Sequence, residues 1–219
     1  MTDRTALPTV PLRVAELLCS RLCHDLISPT AALSNGLELL AEDSDGMAGE
    51  ITQLLSFSAG RAAGWLMFYR VAYGLGGDSA DALTLSDAAA LIRGIVEADK
   101  IALDLAEGDA ALGRGATKAL LNAALVGLET LPNRGHLTLA VENGDGLRIR
   151  VVAEGDGVAM RPEVRAALTP GAAVADLTAR TVQGWFTAWL AHSMGGALEI
   201  AADQPARVAV TVALPDGRG

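Results

Sequence analysis

Between Leu12 and Ala41 apolar side chains return at helical spacing, at Val14, Leu17, Leu18, Leu22, Leu26, Leu33, Leu37 and Leu40, with no glycine before Gly36. This spacing predicts a helix of about thirty residues, long for a globular core and suited to a bundle or coiled coil. The acidic, glycine-containing stretch Glu42–Gly46 breaks the pattern. A second apolar helix is then expected from Met47 to Leu75, through Ile51, Leu54, Leu55, Phe57, Leu66 and Phe68. The two would form an αα-hairpin. A lone hairpin leaves much apolar surface in water, and pairing with a second copy into a four-helix bundle removes it, so a homodimer is predicted.

Gly74–Asp81 reads as a linker, and the periodicity changes after it. The expected division is a helical hairpin over 1–76 and an α+β domain over 82–219, one mixed sheet covered by helices. Within the second part, strands are expected at Leu83–Leu85, Ile101–Leu105, His136–Glu142, Leu147–Val152, Ala197–Ala201 and Arg207–Leu214. Helices are expected from Ser86 to Asp99, with a Ser or Asp cap, and at Ala116–Leu131, Pro162–Leu168 and Thr178–Ser193.

The 219 residues, 51% of them hydrophobic, suffice for one large core or two small ones. A net charge of −9 and the lack of a Lys/Arg stripe argue against a nucleic-acid partner and favour protein partners. Met1–Pro11 lacks the pattern of a signal peptide, and no window reaches the roughly 18 apolar residues of a membrane span. A soluble, cytoplasmic protein without membrane association is expected. The two cysteines, Cys19 and Cys23, read as small apolar packers; with His24 they match no standard zinc spacing, and no metal is expected.

The sharpest local feature is His24-Asp25-Leu26-Ile27-Ser28-Pro29, a titratable pair followed by proline inside a long helix. Proline there removes a backbone hydrogen bond and costs about 3 kcal/mol. Two readings fit. One is a tolerated kink beside an ordinary surface histidine. The other is a nucleophilic imidazole, with Asp25 accepting a hydrogen bond from one ring nitrogen and leaving the other free to attack. His24, Ser28, Ala31 and Asn35 then share one helix face whose small neighbours let a partner approach.

This box resembles the phosphoacceptor box of histidine-kinase dimerisation domains: histidine, an acidic residue, two variable residues, a small polar residue, proline. The order of parts, helical hairpin then α+β domain, is similar as well. The resemblance implies a dimeric four-helix bundle followed by a histidine-kinase-type (GHKL-like) α/β sandwich domain, here degenerate. Asn122 matches the earlier asparagine of that family's asparagine box, but the magnesium-binding position is Val126. In Val151–Val158 the glycines match at Gly155 and Gly157, while the adenine-binding aspartate position is Ala153, unless Glu154 or Asp156 substitutes in a shifted register. The lid region Ala175–Trp185 holds one glycine, Gly184, where several are expected. No ATP and no other cofactor are therefore expected to bind.

A kinase-like hairpin with a degenerate ATP domain is similar to the alphaproteobacterial histidine phosphotransferases of the ChpT type. The resemblance implies relay of a phosphoryl group through His24, from the receiver domain of a hybrid histidine kinase to response regulators, with Mg²⁺ brought by the receiver. Asp25 would orient the ring, and Ser28, Ala31 and Asn35 would line the receiver dock. Arg21 would steady the phosphoryl group or an acidic receiver rim. Competing readings are an active histidine autokinase with a divergent pocket, a non-catalytic dimeric scaffold that binds a response regulator, and a receiver phosphatase leaning on Ser28. Trp185 and Trp189 read as core or an apolar patch, and His136 and His192 as a turn residue and a helix cap.

Overall fold

The computed structural model describes residues 9–42, 46–74, 83–97, 100–106, 111–132, 134–169, 171–202 and 204–215. The expected first helix forms as α1, Leu12–Ala41, and runs unbroken through Pro29. The second, α2, covers Ala48–Ala72 and packs antiparallel to it. Gly36 allows the close approach: a Cβ there would stand 2.8 Å from Leu55 Cδ2.

The remaining elements are β1 (Leu83–Thr84), α3 (Leu85–Arg93), β2 (Ile101–Leu105), β3 (Ala111–Leu112), α4 (Arg114–Leu128), β4 (Gly135–Gly144), β5 (Gly146–Glu154), α5 (Pro162–Ala167), a 3-10 turn (Val174–Asp176), α6 (Val182–Ser193), β6 (Ala197–Ala201) and β7 (Arg207–Leu214). The main sheet has the order β2-β4-β5-β7-β6, with β2 and β4 parallel and the other pairs antiparallel, so it is mixed as expected. β1 and β3 form a separate two-stranded ladder, which makes two sheets where one was expected. Inward positions along β5, such as Leu147, Ile149 and Val151, alternate with exposed Arg148 and Arg150, and α4 lies across that apolar face.

Three boundaries move for local reasons. The third helix starts earlier than Ser86 because Thr84 is its cap: Asp87 N–H donates to Thr84 Oγ1 (3.1 Å) and Thr84 N–H to Asp87 Oδ2 (2.9 Å), a reciprocal capping box. It ends at Arg93, short of Asp99, which lies outside the described residues; at its end Gly94 backs onto α2, where a Cβ on Gly64 would come within 2.2 Å of the Gly94 carbonyl oxygen. The last helix begins at Val182 and not Thr178 because Thr178 and Thr181 bond each other's backbone N–H groups in a turn.

The hairpin and the sheet share a core. Phe68, Tyr69 and Ala72 of α2 belong to the same buried cluster as Leu120 and Leu125 of α4 and Val151 of β5. Further up, Val14 and Leu18 of α1 pack with Leu177, Val182 and Phe186. The expected linker, after Gly74, lies outside the described residues. Among the described residues no helix is long and apolar enough to cross a membrane.

Candidate functional site

His24 projects from α1 with 88% of its side chain exposed, while Asp25 beside it is only 19% exposed. The ring Nδ1 lies 3.2 Å from Asp25 Oδ1, so with the proton on Nδ1 it donates to the carboxylate and leaves Nε2 unprotonated. Asp25 is held from behind. Tyr69 Oη–H donates to Asp25 Oδ2, and Arg21 Nε stands 3.9 Å from the same oxygen. Arg21 turns its other end onto Glu129, at the C-terminus of α4. Four residues beyond Asp25, Pro29 has no N–H to donate back to the Asp25 carbonyl, so the helix is one bond short beneath the histidine.

The electrostatics follow from burial. Burial lifts the Glu129 carboxyl above its ordinary value, with Arg21 opposing the lift. Burial works most strongly against the charge of Arg21, but Glu129, Tyr73, Tyr69 and Asp25 together outweigh it and the guanidinium remains charged. The hydroxyl of Tyr69 is pushed up by burial and then by its bond to Asp25, and that of Tyr73 by burial, so both remain protonated.

Ser28, Ala31 and Asn35 lie exposed on α1 above His24, so the structure puts these expected residues on one open strip. Arg21 departs from expectation. Its side chain is 14% exposed and directed inward to Glu129, because a buried carboxylate needs a cation more than the surface does. The cysteines also differ: both are free and exposed on α1 and are not core packers. Among the described residues no group of three or more His, Cys, Asp or Glu side chains is arranged to hold a metal.

His24 stands on a ridge between two clefts. One, of about 480 Å³, is lined by Ser20, Arg21 and Asp25 and across from them by Met160, Arg161 and Arg180 of the sheet half. The other, of about 360 Å³, lies between the helices and includes Ser28, Phe57, Arg61 and Trp65. Tyr69, Glu129, Arg161 and Arg180 were not foreseen from sequence. Tyr69 on α2 and Tyr73 at its C-terminal cap, four apart among apolar neighbours, are the signal that was present, since a tyrosine packed into a core needs a partner for its hydroxyl.

The residues at the nucleotide-box positions do other work. Val126 and Ala153 are fully buried in the core. Asn122 is also fully buried and ties three helices together: its Nδ2 donates to the carbonyl of Ala72 (3.0 Å), and its Oδ1 accepts from Gln183 Nε2 (2.8 Å). Gln183 Oε1 in turn accepts from Tyr73 Oη (2.6 Å). Glu154 pairs with Arg207 at 3.4 Å, and Asp156 is exposed. Over the lid region, Arg13 of α1 donates to the Leu177 carbonyl at 3.1 Å. Trp185 and Trp189 are half-buried and stacked, the first donating to the Ala172 carbonyl. His136 lies 3.5 Å from Asp104 at a strand start, and His192 Nδ1 lies 2.7 Å from the Ala188 carbonyl at the end of α6.

Residues 85–206 match the family of histidine phosphotransferase C-terminal domains. The protein phosphotransferase ChpT of Brucella abortus (strain 2308) is 32% identical over 193 residues, covering 86% of this chain and 90% of that protein. The chain belongs to the ChpT-type histidine phosphotransferases. A solved structure of a bacterial phosphotransferase superposes with a TM-score of 0.78 at 28% identity, over 94% of this chain and all of that one. The histidine kinase AdeS of Acinetobacter baumannii aligns at 13% identity with a TM-score of 0.42, over 88% of this chain and 97% of that one. Phosphotransfer in two-component signalling is the business of the ChpT type, and the α+β architecture with its mixed sheet is that of the family. The match to the C-terminal domain begins at α3, so it leaves out the hairpin that carries His24; the relative from Brucella spans both parts.

Proposed function

We propose that this chain relays a phosphoryl group between receiver domains through His24, accepting it from a hybrid histidine kinase and delivering it to response regulators. The observation that carries the reading is the disposition of His24: an imidazole almost fully exposed on a helix ridge, its Nδ1 against Asp25 and its Nε2 facing outward. In the forward step the Nε2 lone pair attacks the phosphorus of an aspartyl phosphate. The N–P bond forms as the O–P bond breaks, and the receiver's carboxylate leaves with the bonding pair. The ring keeps its Nδ1 proton and becomes a cation, which Asp25 stabilises. No proton has to be removed in the attack, and the return step is the same reaction reversed onto another aspartate. A Mg²⁺ ion carried by the receiver would neutralise charge on the transferring group. The chain itself needs only to present and orient the ring.

Arg161 and Arg180, across the cleft from His24, give a docked receiver a cationic wall on the side of the sheet half. Ser28, Ala31 and Asn35 give it a small-residue strip on the other. The chain acts as a homodimer through the hairpin, whose Leu37, Leu40, Met47 and Leu66 are exposed in the single chain. It takes no phosphate from ATP, because the positions that would ligate magnesium and adenine carry buried Val126 and Ala153.

The test is phosphotransfer in vitro. Protein is mixed with a phosphorylated hybrid-kinase receiver, and separately with labelled ATP, with His24→Ala and His24→Gln alongside. Label is expected on the wild type from the receiver, none from ATP, and none on either variant. Label taken directly from ATP would make the chain an autokinase, and absence of label by both routes would leave a scaffold.

A further inference from the structure

We infer that Tyr69, on the second helix, is a positioning residue for transfer: its hydroxyl fixes the carboxylate of Asp25 so that His24 keeps its proton on Nδ1 and presents Nε2 as the nucleophile. The inference rests on His24 being the phosphoacceptor and adds to that reading the group that sets which nitrogen reacts.

Three observations bear on it. The first is geometry: Asp25 divides its oxygens, Oδ1 facing His24 Nδ1 at 3.2 Å and Oδ2 accepting from Tyr69. A carboxylate anchored at one oxygen presents the other in a set direction, whereas an unanchored one rotates about its terminal torsion, which is broad. The second is the fixity of Tyr69 itself. It is 2% exposed, and its ring is stacked between Trp65 (centroids 5.2 Å apart, 19° between planes) and Tyr73 (4.9 Å, 26°). The hydroxyl therefore has one direction in which to donate. The third is charge: burial holds the hydroxyl protonated, so Tyr69 is a donor at any pH where the protein works. Arg21 stands further from Asp25 and is turned to Glu129, which leaves the tyrosine as the shorter and better-directed hold on Oδ2.

A neutral imidazole with no orienting partner distributes its proton between both nitrogens, and a ring protonated on Nε2 has no lone pair there with which to attack. Loss of the Tyr69 hydroxyl should thus reduce the reactive fraction of His24 and its alignment without unfolding the protein, because phenylalanine keeps the ring in the stack.

The experiment compares wild type, Tyr69→Phe and, as a control, Tyr73→Phe, which removes a buried hydroxyl from the same stack that bonds Gln183 and not Asp25. Two quantities are read. One is the rate of label transfer from a phosphorylated receiver domain. The other is the pair of ¹⁵N shifts of the His24 ring in the free protein, which report the tautomer without any partner. In Tyr69→Phe, transfer is expected to fall roughly tenfold, the scale set by one hydrogen bond to a charged acceptor. Its ring shifts should move toward the Nε2-protonated form, with both quantities near wild type in Tyr73→Phe. An unchanged tautomer in Tyr69→Phe, or an equal loss of transfer in both variants, would overturn the inference by reducing Tyr69 to a packing residue. If the wild type accepts no label, it is the relay reading that fails, and the ring shifts still decide the role of Tyr69.

Discussion

Glu129 is the residue whose environment most invites a measurement. Its carboxyl is buried beside Arg21, and Oε2 has no hydrogen-bond partner among the described residues. Burial raises its pKa in the folded state above the unfolded value, so the folded protein takes up this proton first as pH falls. The contribution of Glu129 to stability is therefore largest below the unfolded carboxyl range and declines as pH rises through the folded pKa. Against Glu129→Gln, which does not titrate, wild type should gain relative stability as pH is lowered from 7.5 towards 5, followed as the difference in melting temperature. A gap independent of pH would mean that Arg21 fully offsets the burial. Little of this was legible in sequence. His24, Ser28, Ala31 and Asn35 lie within about three turns of one helix, so spacing alone places them on one strip. Arg21 is the complementary case: its ion-pair partner Glu129 is 108 positions away, so nothing local in the sequence announces that contact.

At the scale of elements, the sequence was informative wherever one periodicity ran uninterrupted. The first helix and the strands at Ala197–Ala201 and Arg207–Leu214 have the bounds expected of them. What escaped was set by pairing between distant segments: β3 is two residues long and exists by bonding β1. The same holds for the Asn122 clamp, where a box asparagine read as a remnant of nucleotide binding joins α2, α4 and α6. Asn122→Ala would strand the Ala72 carbonyl and weaken the hold on Gln183 in a buried interior. The expected loss is about 2–4 kcal/mol, at ~1–3 kcal/mol for each polar group left unsatisfied. Chemical denaturation measures it, and a loss below about 0.5 kcal/mol, the ordinary size of a surface substitution, would mean that the clamp is dispensable.

For the whole molecule, the root of the hairpin is built into the same core as the sheet half. Sequence patterns mark where periodicity changes and do not show which apolar faces meet, so the shared core was not visible. The outer end of the hairpin is another matter. Leu37 and Leu40, read from sequence as part of the apolar face, are 59% and 36% exposed in the single chain. For the homodimer proposed above, replacing both by glutamate should shift the protein from dimer to monomer in sedimentation velocity while leaving its helical circular dichroism intact, and a wild type that sediments as a monomer would overturn the proposal. A dimer that persists would locate the contact elsewhere.

The contact between hairpin and sheet half also has an optical consequence. The chain has three tryptophans. Trp65 lies against Tyr69 at the foot of α2, and Trp185 and Trp189 pack on the cluster that contains Val14 and Leu18 of α1. Every indole in the protein thus faces the junction of the two halves, and unlabelled emission becomes a direct gauge of whether that junction loosens when a partner arrives.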